Sequence, residues 1–253
     1  MPLIVLSVLL QIACAVHVVR SGRPHYWIYI VLIGSFLGIA VYFFAEVLPN
    51  LHRDPVARRV AQNVRQKVDP EHGKRRAARQ LDIADTLENR RRLAEQSMAS
   101  GDYQQALELY RNSLSGMYKT DPTLMLGLAQ AQFALDLAIE ARATLEALIV
   151  ANPNYRSSDG HLLYARAVEG SGDVEKALEE YEAVVQGFPG EEARVRYAQL
   201  LQRRGHTARA TAVFEEVIKR ASLAPKYYQR DQRAWVEIAK RALQSRTAQP
   251  EHA

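Results

Sequence analysis

The chain has 253 residues, with 33 Lys/Arg against 28 Asp/Glu and a formal charge of +5 at pH 7. The excess is local: residues 51–79 hold nine Lys/Arg and three acids, while residues 80–253 hold 22 bases and 24 acids. A basic face spread along the chain is therefore excluded, and nucleic acid with it. The single cysteine, Cys14, excludes an intrachain disulfide and a cysteine-built metal site.

Residues 1–50 read as a two-helix membrane anchor. Pro2–Val19 and Tyr26–Leu48 are almost wholly apolar, and stretches of about 18 and 23 residues suffice to cross a bilayer. Arg20-Ser21-Gly22-Arg23-Pro24 between them breaks the helix and predicts a hairpin. No Lys or Arg precedes the first stretch, as a secretory signal requires. Gln11-Ile12-Ala13-Cys14 lacks the leucine and the basic flank of a lipidation site. Arg53, Arg58, Arg59, Arg65 and Lys67 outnumber the loop's Arg20 and Arg23, so the positive-inside rule predicts an inner-membrane protein with its C-terminal domain in the cytoplasm. Gly34 and Gly38 form a small-xxx-small pair, the expected seam of helix packing within one hairpin or between two chains.

Part of this segment is similar to the membrane hairpin preceding the catalytic region of phospholipase D-type cardiolipin synthases. The likeness rests on Ala15–Pro24, Tyr26-Trp27-Ile28 and Gly38–Tyr42. That family requires two His-x-Lys-x4-Asp motifs. Here His72-Gly73-Lys74 is followed by Arg79 at the Asp position, and a second copy is absent. The resemblance implies an anchor without the enzyme.

Residues 51–80 predict a basic amphipathic linker. Val56, Val60, Val64 and Val68 recur every four residues on one helical stripe, with Arg58, Arg59, Arg65 and Lys67 on the other faces. Beside a membrane span, these cations and Arg53 suit anionic headgroups at about 1 kcal/mol each. An ordinary solvated connector has the same composition. Asp69-Pro70 ends the helix.

From about Leu87 to Ser222 one pattern returns four times. Its clearest copies are Gly101-Asp102-Tyr103-Gln104-Gln105-Ala106-Leu107-Glu108-Leu109-Tyr110 and Gly172-Asp173-Val174-Glu175-Lys176-Ala177-Leu178-Glu179-Glu180-Tyr181. Ala106, Ala141, Ala177 and Ala210 keep a period near 34. An aromatic or Leu follows each four residues later, and Pro122, Pro153 and Pro189 separate the copies. The pattern resembles the tetratricopeptide repeat (TPR), which implies an all-α solenoid built from pairs of antiparallel helices. The expected repeats are 87–121, 122–157, 158–190 and 191–222. First helices are predicted at 81–99, 123–135, 158–170 and 191–204. Ala94, Ala129, Ala165 and Ala198 fall at one position in them, preceded by Leu93, Leu128, Tyr164 and Tyr197 as core residues. Copy two lacks the glycine between its helices, reading Leu135-Asp136-Leu137. Residues 223–246 are expected to form one capping helix, with Trp235 covering the last apolar face or, in the alternative, stacking on a ligand. Residues 247–253 are expected to fray.

The resemblance further implies that the first helices line a concave groove. Projection of the pattern places Arg91, Glu95 and Met98 there, with Leu126, Gln130 and Phe133, then Leu162, Arg166 and Glu169, then Val195, Gln199 and Gln202. Such a surface suits an extended or helical peptide. Arg91 and Glu95 stand where chaperone-tail-binding TPR domains carry Lys and Asn, which disfavours that ligand. The seven histidines do not pair at metal-ligand spacing, and no phosphate loop or nucleophile elbow is present. Neither catalysis nor a cofactor is expected. The expected function is a membrane-anchored scaffold for a protein or peptide partner. The alternative is a lipid-associated accessory factor of phospholipid metabolism or envelope assembly.

Overall fold

The computed structural model describes residues 71–247. The predicted membrane hairpin, Gly34 and Gly38, and the linker cations Arg53, Arg58, Arg59, Arg65 and Lys67 lie outside the described residues. Among those described, no helix is long and apolar enough to cross a membrane.

Eleven α-helices and one 3-10 turn make up the described residues, with no strand among them. They are α1 (His72–Ile83), α2 (Leu87–Ser100), α3 (Tyr103–Ser113), α4 (Pro122–Ala134), α5 (Ala138–Ala151) and α6 (Ser158–Gly170). There follow α7 (Val174–Gly187), α8 (Glu192–Arg203), α9 (Thr207–Leu223), α10 (Lys226–Asp231) and α11 (Arg233–Thr247). The pairs α2/α3, α4/α5, α6/α7 and α8/α9 pack internally, and each second helix packs on the first helix of the next pair. The result is a TPR-like helical solenoid.

Local sequence explains the punctuation. Asp121 accepts from the backbone N–H groups of Thr123 and Leu124, with Pro122 in the first turn of α4. Asp102 and Asp173 cap α3 and α7 in the same way. Three of the four turns within pairs place a glycine at positive φ (Gly101, Gly172 and Gly205). In copy two Asp136 takes that left-handed position at φ 60°, which a short polar side chain tolerates better than most. That is how the pair turns without its glycine.

The small-residue column closes the helix pairs. Ala94, Ala129, Ala165, Ala198, Ala106, Ala141, Ala177 and Ala210 are all buried, as are Tyr110, Leu145, Tyr181 and Phe214 four residues after the second set. A methyl group lets two backbones approach, and the bulky residue one turn later fills the gap beside it.

Two helical expectations are corrected. The first helix of copy one begins at Leu87, not near residue 81, and α1 precedes it. Thr86 caps α2 by accepting from Asn89 N–H, while the Asn89 amide donates to the Gln80 and Ala84 carbonyls at the end of α1. One residue thus serves both helix ends and fixes the break. α1 is tied to the first repeat by the Lys74–Asp102 ion pair and by buried Ala77. The expected single cap is also two helices, with Gln232 between them.

Candidate functional site

Among the first helices α2 touches α4 and α4 touches α6, and α11 lies against α8 at the far end. This layer is the predicted groove wall, the inner wall of a TPR-like array. Across it runs a continuous row of side chains. The Arg166 guanidinium lies 4.6 Å from the centre of the Phe133 ring. Glu192 lies 3.9 Å from Arg166 and 2.7 Å from Arg196. Arg196 in turn sits 5.2 Å from the Trp235 ring centre. The row links α4, α6, α8 and α11, so three repeats and the cap share one surface.

Its charge is under-balanced. Burial, then the like charge of Arg196, lowers the pKa of Arg166, and the shared Glu192 only partly offsets this. Guanidinium groups stacked on aromatic faces keep their edge donors available to a carbonyl or carboxylate. A second pairing borders the row. Glu169 accepts the Tyr181 hydroxyl at 2.6 Å and pairs with Arg203. Burial, reinforced by that bond to a carboxylate, raises the Tyr181 pKa and keeps it neutral.

The predicted groove residues divide. Phe133, Arg166 and Glu169 take part as described, while Gln130, Gln199 and Gln202 lie on the same first helices with exposed or half-buried side chains. Leu126 lines a cavity of about 340 Å³ bordered by residues of α4, α5, α6 and α7. Arg91 pairs with Glu88 and Glu95 on α2, and Met98 packs against the smaller core cluster. Leu162 and Val195 are corrections: both are buried in the main core and offer a partner no surface. In α6 and α8 that helical position is covered by neighbours, whereas at the array's start Arg91 is half exposed.

Arg196 and Glu192 were missed by the projection. Their signal was present as an i, i+4 pair of opposite charge, one residue out of register with the projected Val195. Trp235, expected as a core cap with ligand stacking as the alternative, packs partly against the core and also ends the row. His161 pairs with Glu180 at 3.3 Å, and among the described residues no cluster of His, Cys, Asp and Glu could hold a metal ion.

Residues 97–167 match the family model described as Tetratricopeptide repeat. Among curated proteins none matches the chain. Three solved structures share the fold. A thermophilic TPR protein of Thermus thermophilus is 20% identical with a TM-score of 0.51, covering 64% of this chain and 86% of that one. The MamA double mutant RS-1 ArsTM is 18% identical with a TM-score of 0.54, covering 64% and 90%. A protein of Podosopora anserina with nearly identical TPR-like repeats is 24% identical with a TM-score of 0.50, covering 64% and 89%. At these identities the likeness is one of fold.

Proposed function

We propose that the protein is a membrane-anchored scaffold whose inner wall holds a peptide segment of a partner protein. The observation that carries this reading is the unbroken row from Phe133 through Arg166, Glu192 and Arg196 to Trp235. It combines flat apolar rings, which give area at low entropic cost, with guanidinium donors that read a peptide backbone or an acidic side chain. Gln130, Gln199 and Gln202 supply further neutral donors and acceptors along the same helices.

The apolar stretches of residues 1–50 support anchoring in the inner membrane, and Arg53, Arg58, Arg59, Arg65 and Lys67 support a cytoplasmic position beside anionic headgroups. Gly34 and Gly38 are the proposed packing seam of the hairpin.

Two experiments test the reading. A compartment-specific reporter fused after Ala253 should be active in the cytoplasm, and the full chain should stay in the membrane on alkaline extraction. A periplasmic signal or a soluble chain contradicts the anchoring. For the groove, the full-length protein is isolated from its own cells as wild type and as Arg166→Gln/Arg196→Gln, and the co-isolated proteins are quantified. A partner near equal stoichiometry should fall about tenfold or more in the variant while the melting temperature changes little. An undiminished partner contradicts the groove assignment.

A further inference from the structure

The outer side of the second repeat carries a different surface. On α5, Ile139, Ala143, Ala147 and Val150 follow one another at spacings of four, four and three, a single helical stripe. All four are exposed, with Ile139 at 69% and Val150 at 82% of full accessibility. Equivalent positions carry Gln104 and Glu108 on α3, and Glu175 and Glu179 on α7. At the first two positions the neighbouring second helices therefore follow the polar-outside rule, which α5 breaks.

Other residues of the same helix line an opening in the surface. Ile149, itself 51% exposed, lines the cavity of about 340 Å³ with Leu145, Leu148, Tyr164, Val184 and Phe188. Ala183 and Gly187 leave space that larger side chains would fill. The volume suits one bulky side chain inserted from outside, the usual anchor of a protein interface.

Charge around the stripe selects the occupant. Glu108, Glu140 and Glu179 are exposed and have no ion-pair partner among the described residues. A bilayer of anionic lipid is repelled by such a border. A second copy of this chain meeting face to face would set acid against acid. We propose that α5 and the adjoining cavity form a second docking surface, for a helix of another protein that has an apolar stripe flanked by Lys and Arg. The stripe spans roughly 17 Å at 1.5 Å per residue, three turns of such a helix. This surface shares Leu126 with the projected groove but none of the side chains of the row from Phe133 to Trp235.

The probes are two fluorescent amphipathic peptides with one leucine stripe, the first flanked by lysine and the second by glutamate. Both are titrated against the full-length protein by anisotropy. The lysine peptide should bind at least about tenfold tighter than the glutamate peptide, and Ile139→Gln/Val150→Gln should weaken it by about tenfold or more. Glu108→Lys/Glu140→Lys/Glu179→Lys should invert the preference. Arg166→Gln/Arg196→Gln should leave it intact, which separates this surface from the groove. Equal binding of the two peptides overturns the proposal, as does lysine-peptide binding indifferent to Ile139→Gln/Val150→Gln. A dimer in sedimentation that this double substitution dissolves assigns the face to a second copy instead. Binding of phosphatidylglycerol vesicles that it abolishes assigns it to the membrane.

Discussion

Tyr228 donates its hydroxyl to Glu191 at 2.7 Å, and the Glu191 side chain is completely buried. The same carboxylate oxygen accepts from Arg220 at 3.3 Å, while the Glu191 backbone N–H donates to Gln232 at 2.9 Å. One residue before α8 is thereby tied to α9, to α10 and to the break between α10 and α11. This is the latch that holds the cap on the last repeat, and through the cap it positions Trp235 at the end of the inner wall. Burial, then the bond to Glu191, raises the pKa of Tyr228, so the donor keeps its proton.

Tyr228→Phe should therefore cost about 1 to 3 kcal/mol, because a buried carboxylate loses a donor it cannot replace. Glu191→Ala should cost more, about 3 to 5 kcal/mol, since Arg220 and Arg194 lose their shared partner. Amide exchange should quicken first in residues 226–247 and hardly at all in α2 and α3, because stability in a solenoid passes between neighbours. Uniform acceleration across the array would contradict the latch.

Gly127 on α4 should not accept a methyl group. A Cβ there would lie 2.5 Å from the ring of Tyr110, which is buried. Gly→Ala inside a helix ordinarily stabilises by about 1 kcal/mol. Here overpacking of about 1 to 3 kcal/mol should outweigh that gain. Thermal melting should show Gly127→Ala below wild type. In Tyr110→Leu/Gly127→Ala the loss should be smaller than the sum of the single losses.

Stability should also fall at high pH for an identifiable reason. Burial raises the Tyr110 pKa from 10.0 to about 12. The folded state holds this proton where the unfolded chain releases it. The contribution is complete below pH 10 and is lost as pH rises toward 12. Tyr110→Phe should flatten the decline across that window in denaturant titrations. Tyr181 and Tyr228 leave a residual slope, as both are also shifted upward. A slope unchanged by the substitution would place the alkaline loss elsewhere.

At the acid end the sign is opposite. The hydrogen bond from Lys74, then that from the Gln105 backbone, lowers the Asp102 pKa from 3.8. Its contribution is present above that value and is lost as pH falls through the lower folded pKa. Asp102→Asn should weaken the hold of α1 on the first repeat at neutral pH, seen as faster exchange in residues 72–83. It should leave α6 to α9 unaffected.

The solenoid was legible because its requirements repeat. Alanine at 94, 129, 165 and 198 meets one packing need four times, and the period itself carries the signal. The glycine turns were legible for the same reason, and the Asp136 substitution stood out as a departure that the backbone absorbs at φ 60°. What escaped depends on partners that share no period. Nothing near Glu191 in sequence announces Arg220, Tyr228 and Gln232, each about 30 to 40 residues away. Asn89 capping the preceding helix was hidden because amide bonds to carbonyls leave no hydropathy trace. Projection from the alanine column pointed to Leu162 and Val195, yet in α6 and α8 neighbouring helices cover that position. Arg196, one residue further on, carries the surface.

The central claim is that the inner wall is where a partner sits. The most direct measurement places a photo-crosslinking amino acid at Gln130 or Gln199, and at exposed Glu215 on α9 as a control, in the full-length protein in its own cells. The account predicts one discrete adduct from the first two positions, lost when Arg166→Gln/Arg196→Gln is added, and none of that size from the control. No adduct from Gln130 and Gln199, or the same adduct from all three positions, would contradict it.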